Sequence, residues 1–599
     1  MKNVLAIVTL SALLSACAGL GQQAMPPLNA AAAVSARDTI PGTLSDRRAV
    51  LHASMPTPED PLPKVELTGD LLFKLLSAEI AFQRGDWESA FVTTLVAARQ
   101  TRDPRLARRA TEMALSAKEA DDALAAIRLW RELAPHSEEA TQYYLSFLVM
   151  GDNLDEARPV LEQRLKDARP PVRALMMFQT QRLLARAKDK DAAWSMLESL
   201  LAPYMAAPEA HLALAQNASA RGDHQRARDE ARAALAMQPD SELAALTLAV
   251  VTPDKEDSAK FLASFLRAYP KAHDVRLAYA RILVDQKHYG KARHEFETLH
   301  KAQPEDLTPL YALGILGAQT NDLKSAEKYL KLYVTELAAH PDQERDQSQA
   351  LLILAQIAEE NRDPDTALKW LGQIESGQMF ITAQIKRAEI IAKRGDLNAA
   401  RKVLAEVEVD SEQDHVQILM ADAQLLRDAN QNEEVLAVLD DGVRRYPNNT
   451  DLLYDYAMAA EKISQFGLME TMLRKVIVLE PKNQQAYNAL GYSLAERNIR
   501  LDEAYSLIDT ALKLTPEDPF IMDSMGWVQF RLGKLKEAED LLRRAYGMRP
   551  DPEIAVHLGE VLWVKGQRAD AQKLWRDAKT KDPLNDTLKN TLARLNVSL

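Results

Sequence analysis

The residues whose types could carry chemistry in this chain are His294, Glu295 and His300 of the string HEFETLH, and one cysteine, Cys17. The string invites comparison with HExxH, in which two histidines four apart share a helical face, bind zinc and leave the glutamate to act as a base. Here the histidines are six apart, and six residues turn a helix through about 600°, so His294 and His300 point about 120° away from each other. Cys17 is the only cysteine in 599 residues, so it has no disulfide partner and lacks the companion ligands that a structural zinc needs. No GxSxG elbow and no GxxxxGK(S/T) phosphate loop occur anywhere. The many carboxylates, set on helical patterns, read as a solvated face. The chain is therefore expected to have no catalytic set, no metal site and no cofactor.

The flanks of Cys17 explain it better than chemistry does. Lys2 gives a short positive start, Val4 to Leu14 is an apolar run, and small residues lead to the cysteine, which is the layout of a secretory signal. The run is shorter than the about 20 residues that span a bilayer. Leu14-Ser15-Ala16-Cys17 resembles the bacterial lipobox. That resemblance implies cleavage before Cys17 and acylation of it, and two or more acyl chains anchor stably where one holds only marginally. Ala18, where an inner-membrane retention signal would carry Asp, implies the outer membrane of a Gram-negative cell, with the chain facing the periplasm. Residues 17–66, with seven prolines after the cysteine and little apolar periodicity, read as a lipidated, flexible tether behind a signal peptide of residues 1–16.

The rest must be a multidomain or repetitive globular chain, because 47% of its residues are apolar, 27% are charged, and its length exceeds what one core organises. A net charge of −12 argues against nonspecific nucleic-acid binding, which calls for a basic face. From Leu67 onward apolar residues recur at i, i+3, i+4 and i+7, the helical spacing. The helices repeat. Gly526, Ala538, Ala545 and Pro550 match Gly559, Ala571, Ala578 and Pro583, every offset being 33, and Gly491, Ala504, Ala511 and Pro516 fill the same places one repeat earlier. The small residues let paired helices approach, and the proline closes the second helix of the pair. Gly85, Gly222, Gly395, Gly533 and Gly566 each stand five residues before a central alanine, where a helix would end in a left-handed cap.

Followed along the chain, the central small position falls at Ala90, Ala123, Ala157, Ala192, Ala227, Ala259, Ala292, Ala326, Ala367, Ala400, Val435, Met469, Ala504, Ala538 and Ala571. About fifteen pairs are expected over residues 67–585, with degenerate units at Val435 and Met469, truncation at VTPDKED, and an extended helix or loop in the gap of 41 after Ala326. Residues 586–599, apolar mainly at Leu588, Leu592 and Leu595, read as a capping helix.

This pattern resembles the tetratricopeptide-repeat proteins, whose period is about 34. Together with the lipobox, the opening LLSAEIAFQRGDWESA and the closing NALGYSLAERNIRLDEA, DSMGWVQFRLGKLKEAEDLLRRA and HLGEVLWVKGQRADA resemble the large outer-membrane lipoproteins of that class. Members of that group partner a periplasmic carboxyl-terminal processing protease. The resemblance implies an all-α, right-handed superhelical solenoid of antiparallel helix pairs. It implies a non-catalytic adaptor that brings substrates such as peptidoglycan hydrolases to the protease. A scaffold for assembling an outer-membrane or pilus complex is the other reading. The expected partners are proteins, and the membrane through the lipid; nucleic acids and small-molecule substrates are not expected. If the inward positions of each first helix follow the family, the last three repeats present a groove of Gln485, Asn488, Tyr492 and Glu496, then Phe520, Asp523, Trp527, Phe530 and Arg531, then Glu553, Val556, Glu560 and Trp563. Aromatic anchors carry much of the energy of such interfaces. Trp575, at a second-helix position, is expected in the core.

Overall fold

The computed structural model describes Asp60 and residues 62–151, 153–341, 345–409 and 411–599. Leu14, Ser15, Ala16 and Cys17, and nearly all of the stretch read as a tether, lie outside the described residues. Among those described, every regular element is helical and no strand occurs. No helix there is long and apolar enough to cross a membrane. The chain divides into two compact units, the first running to Tyr329 and the second from Leu330 to Leu599, with the division inside the helix Leu323–Ala339.

Both units are stacks of one motif, an antiparallel helix pair. Fifteen pairs run from Gly69–Gln83 with Trp87–Thr101 to Pro552–Val564 with Arg568–Lys581, and Asp586–Leu595 follows the last. The central small residue is the fourth of each second helix. Ala90, Ala123, Ala227, Ala326, Ala504, Ala538 and Ala571 are all fully buried there, and Val435 and Met469 are buried in the degenerate pairs. In two pairs the sequence register needs correction by one residue. In Lys190–Leu201 the fourth position is Ala193, which is buried, while Ala192 is exposed. In Lys255–Ala268 it is Ser258, which satisfies its hydroxyl by donating to the Ala249 carbonyl at 3.0 Å, and Ala259 packs beside it. Burial of a serine with its hydrogen bond made costs little, so composition alone did not reveal the slot.

Close approach inside a pair explains the first-helix glycines. At Gly317 an added Cβ would lie 2.7 Å from the Ala326 backbone nitrogen and 2.9 Å from its Cα, which no side-chain adjustment relieves. The turn between the helices requires a left-handed residue, as Gly533 (φ 79°) and Gly566 (φ 84°) show. The same turn position is held by Lys118, Lys287, Asn321, Arg362, Asn430 and Ser464, all at positive φ, so the stacked neighbours impose the turn even where the residue type opposes it.

The irregular places also have local causes. Glu242–Val250 is only nine residues long because Pro253 follows, and Asp254 then starts the next helix by accepting from the Glu256 and Asp257 amides at 2.7 and 2.9 Å. The gap of 41 holds the long helix Leu323–Ala339, seventeen residues, and then non-helical chain on both sides of residues 342–344, which lie outside the described residues. At the C-terminal end Asn585 caps Asp586–Leu595 by accepting from the Leu588 amide at 2.8 Å. Leu588 is buried and Leu592 and Leu595 pack on the last pair.

Candidate protein-binding groove

The first helices of successive pairs carry the residues expected to form a groove, and the structure separates them into two stretches of the second unit. In the last three repeats the inward side chains largely satisfy one another. Asp523 and Trp527 on Pro519–Arg531 and Glu560 on Pro552–Val564 are buried, so these three are not the open contact surface expected of them. The reason is His557, which the sequence reading passed over. Its ring stacks on the Trp527 indole, centroids 4.3 Å apart and planes 23° apart, and its Nδ1 donates to Asp523 Oδ2 at 2.9 Å. Its Nε2 lies 3.4 Å from the Tyr492 hydroxyl two pairs back.

Polar partners close the rest of this stretch. Trp527 Nε1 donates to Glu496 Oε2 at 2.7 Å, and Arg531 stacks its guanidinium over the same indole at 4.6 Å while donating to the Glu496 carbonyl at 3.2 Å. Arg594 of the terminal helix donates to Glu560 at 2.6 Å. Phe530 sits 5.1 Å from Trp527, and Trp563 lies 5.5 Å from the fully buried Trp575. Phe530, Arg531, Trp563, Asn488 and Tyr492 are half-buried. Asn488 has its Oδ1 buried without a hydrogen-bond partner.

The electrostatics follow from this crowding. Burial by itself would lower the His557 pKa, but the charge and hydrogen bond of Asp523, with Glu553 and Glu496 nearby, outweigh it and raise the pKa above the usual histidine value. Burial, helped by Glu553, Glu496, Asp523 and Glu461, pushes the Tyr492 hydroxyl far up, so it stays neutral. Loss of water also raises Glu461 and Glu553.

An open groove lies upstream. It encloses about 420 Å³ and is lined by four consecutive first helices, Phe380–Lys393, Glu412–Asp428, Thr450–Lys462 and Gln484–Glu496. Ile385, Val416, Met420 and Tyr454 supply apolar surface. Thr382, Gln417, Asp451, Asn483 and Gln485 supply polar groups along it. Neighbours already hold the charged ends of Lys386, paired with Glu389 at 2.7 Å, and Asp455, paired with Arg427 at 2.9 Å. Asn483 is occupied as the cap of its own helix, accepting from the Ala486 amide at 3.0 Å. Burial, then Glu461 and Asp455, raises the Tyr454 pKa, which keeps its hydroxyl a neutral hydrogen-bonding group. The amides of Gln417 and Gln485 have no partner among the described residues, so they remain free for a ligand backbone. Of these groove residues the inward-position rule points to Gln485, one turn before Asn488 on the same helix face, and to none of the others.

His294 and His300 lie on Tyr289–Ala302, and no group of three or more His, Cys, Asp or Glu among the described residues is placed to hold a metal ion.

Fold and groove together define an all-α solenoid of tetratricopeptide repeats. A tetratricopeptide-repeat family model matches residues 277–344 and 524–588. The chain is homologous to the TPR repeat-containing protein PA4667 of Pseudomonas aeruginosa, with 36% identity over 242 residues, 40% of this chain and 41% of that protein. It is also similar to the mitochondrial import receptor subunit TOM70 of Rattus norvegicus, at 26% identity over 133 residues and 22% of each chain. The match thus spans well under half the length of either relative. Among solved structures, a thermophilic TPR protein of Thermus thermophilus, TTC0263, aligns over 31% of this chain and all of its own at 19% identity and a TM-score of 0.28.

Proposed function

We propose that the chain is a non-catalytic adaptor that holds extended segments of client proteins and presents them to a periplasmic carboxyl-terminal processing protease. The observation that carries the binding role is the groove over four consecutive first helices, with apolar side chains beside the unpaired amides of Gln417 and Gln485. Such a strip suits an extended peptide, whose backbone needs donors and acceptors and whose side chains need apolar contact. The protease role rests on the resemblance to the outer-membrane lipoprotein LbcA, partner of the protease CtpA. In that reading the clients are peptidoglycan hydrolases, and the lipid on Cys17 keeps the pair at the outer membrane.

Purified chain from Ala18 onward should leave both proteins and peptidoglycan intact, yet accelerate client degradation when mixed with the cell's carboxyl-terminal processing protease. Tyr454→Ala with Met420→Ala should weaken client binding at least about tenfold, as loss of interface anchors does, while leaving the helical circular dichroism unchanged. No acceleration by the unaltered chain sinks the adaptor reading. Unchanged client affinity in the folded double variant removes this groove from it. For the anchor, labelled palmitate should enter the chain in cells and be absent from Cys17→Ser; label in that variant would show that the lipid is elsewhere.

A further inference from the structure

The two ends of the repeat stack are finished differently. At the C-terminal end, Asp586–Leu595 turns Leu588, Leu592 and Leu595 onto the last pair and presents Asp586 and Lys589 to solvent. The first pair has no such cover among the described residues. In Gly69–Gln83 only Ala78 is buried, and Phe73 is 70% exposed, with Leu72, Leu76 and Ile80 exposed on the same side. In Trp87–Thr101 the residues Phe91, Thr94, Leu95 and Ala98 pack inwards, while Val92 and Val96 are exposed on the opposite side. A repeat surface of this kind is normally buried by a neighbouring repeat.

We propose that this face is covered by the same face of a second copy, so that the chain forms a twofold dimer through its first helix pair. Charge favours self-pairing here. Over residues 62–101 the basic Lys64, Lys74, Arg84 and Arg99 nearly cancel the acidic Glu66, Asp70, Glu79, Asp86 and Glu88, leaving −1 in a chain whose total is −12. Asp70 and Lys74 are paired within their own helix at 2.7 Å, so neither charge repels its counterpart across an axis. Size also fits. Two fifteen-residue helices side by side offer about 22 Å by about 20 Å, which puts the area buried by two copies near the lower limit of specific interfaces, about 1,000 Å². Since the capping helix closes the other end, the contact is isologous and stops at two copies rather than growing a filament.

The test uses the chain from Ala18 onward, which contains every described element and no cysteine. Sedimentation equilibrium should show a monomer–dimer equilibrium, and Leu76→Glu should raise the dissociation constant at least about tenfold with unchanged helix content, as expected for a charge placed in the centre of an apolar contact. With Leu76→Cys a short bismaleimide should yield covalent dimer, whereas Leu584→Cys near the capped end, more accessible at 76% exposure against 54%, should not. A strict monomer up to about 100 µM, where even a small specific interface associates, overturns the proposal, whether residues 18–59 or another molecule covers the face. So does a dimer that persists in Leu76→Glu, or one that cross-links equally through both cysteines.

Discussion

Asp523→Ala is expected to destabilise the last three repeats by about 3–5 kcal/mol below neutral pH, because it leaves the buried His557 without its counter-charge. His557 is 1% exposed, and its Nδ1 has Asp523 as its partner. The pH dependence gives the sign. The groups facing the imidazole are Asp523, Tyr492 and Glu496 on the preceding first helices and Glu553 on its own. Burial lowers its pKa, but the carboxylates of Asp523, Glu553 and Glu496 outweigh that and raise its folded pKa above the unfolded value of about 6.5. The stabilisation is therefore fully present below about pH 6.5 and is lost as pH rises through the raised folded-state value. Hydrogen exchange on peptides from Gln484 to Leu599 should show protection falling over that interval in the unaltered chain. The slope should flatten in His557→Gln, and the penalty of Asp523→Ala should shrink at high pH, where a neutral imidazole no longer needs the carboxylate. Equal penalties at both ends of the pH range would show that His557 is never charged in the folded chain, and the electrostatic account of this cluster would fail.

That cluster marks where the sequence stopped being legible. The helix pairs could be read because Ala538, Ala571 and their equivalents recur at a spacing that sterics enforce, and each contact lies within one pair or between neighbours. His557 carries no such signal. It stands one residue past an inward position, and its partners Asp523 and Tyr492 are 34 and 65 residues away. Only the stacking of three pairs brings them together, and with them goes the exposure expected of Trp527. The open groove was nearer to view. Tyr454 and Met420 stand at the same helix position as Asn488, and Asp451 and Gln417 at that of Gln485. The rule applied to the last three repeats would have named them had Val435 and Met469 not blurred the preceding pairs. The slots at Ala193 and Ser258 failed differently. Neighbouring small residues offered two candidates one apart, and only burial chooses between them.

Trp575→Ala is expected to cost about 3–5 kcal/mol, the range for emptying a core of its largest side chain. Position 575 is the slot that holds Leu439, Leu473, Ile508 and Leu542 in the four preceding pairs, each fully buried, so the tryptophan is an oversized member of a repeated site. It fits because its indole lies against Gly559, where an added Cβ would meet Cε2 at 2.8 Å, and because Nε1 donates to the Val556 carbonyl at 3.2 Å. A rigid ring cannot swing aside as the end of a flexible chain would. Gly559→Ala alone should therefore cost about 1–3 kcal/mol through overpacking. In the Trp575→Ala background the added methyl enters the vacated space, and its cost should fall to near zero or become a gain, a coupling of about 1–3 kcal/mol between touching residues. Hydrogen exchange in Pro552–Val564 and Asp586–Leu595 provides the readout, since the terminal helix packs on the same cluster and should lose protection with it. Strictly additive penalties would mean that Gly559 is not held small by the indole, and that the repeat register at this end of the chain is set by something other than this contact.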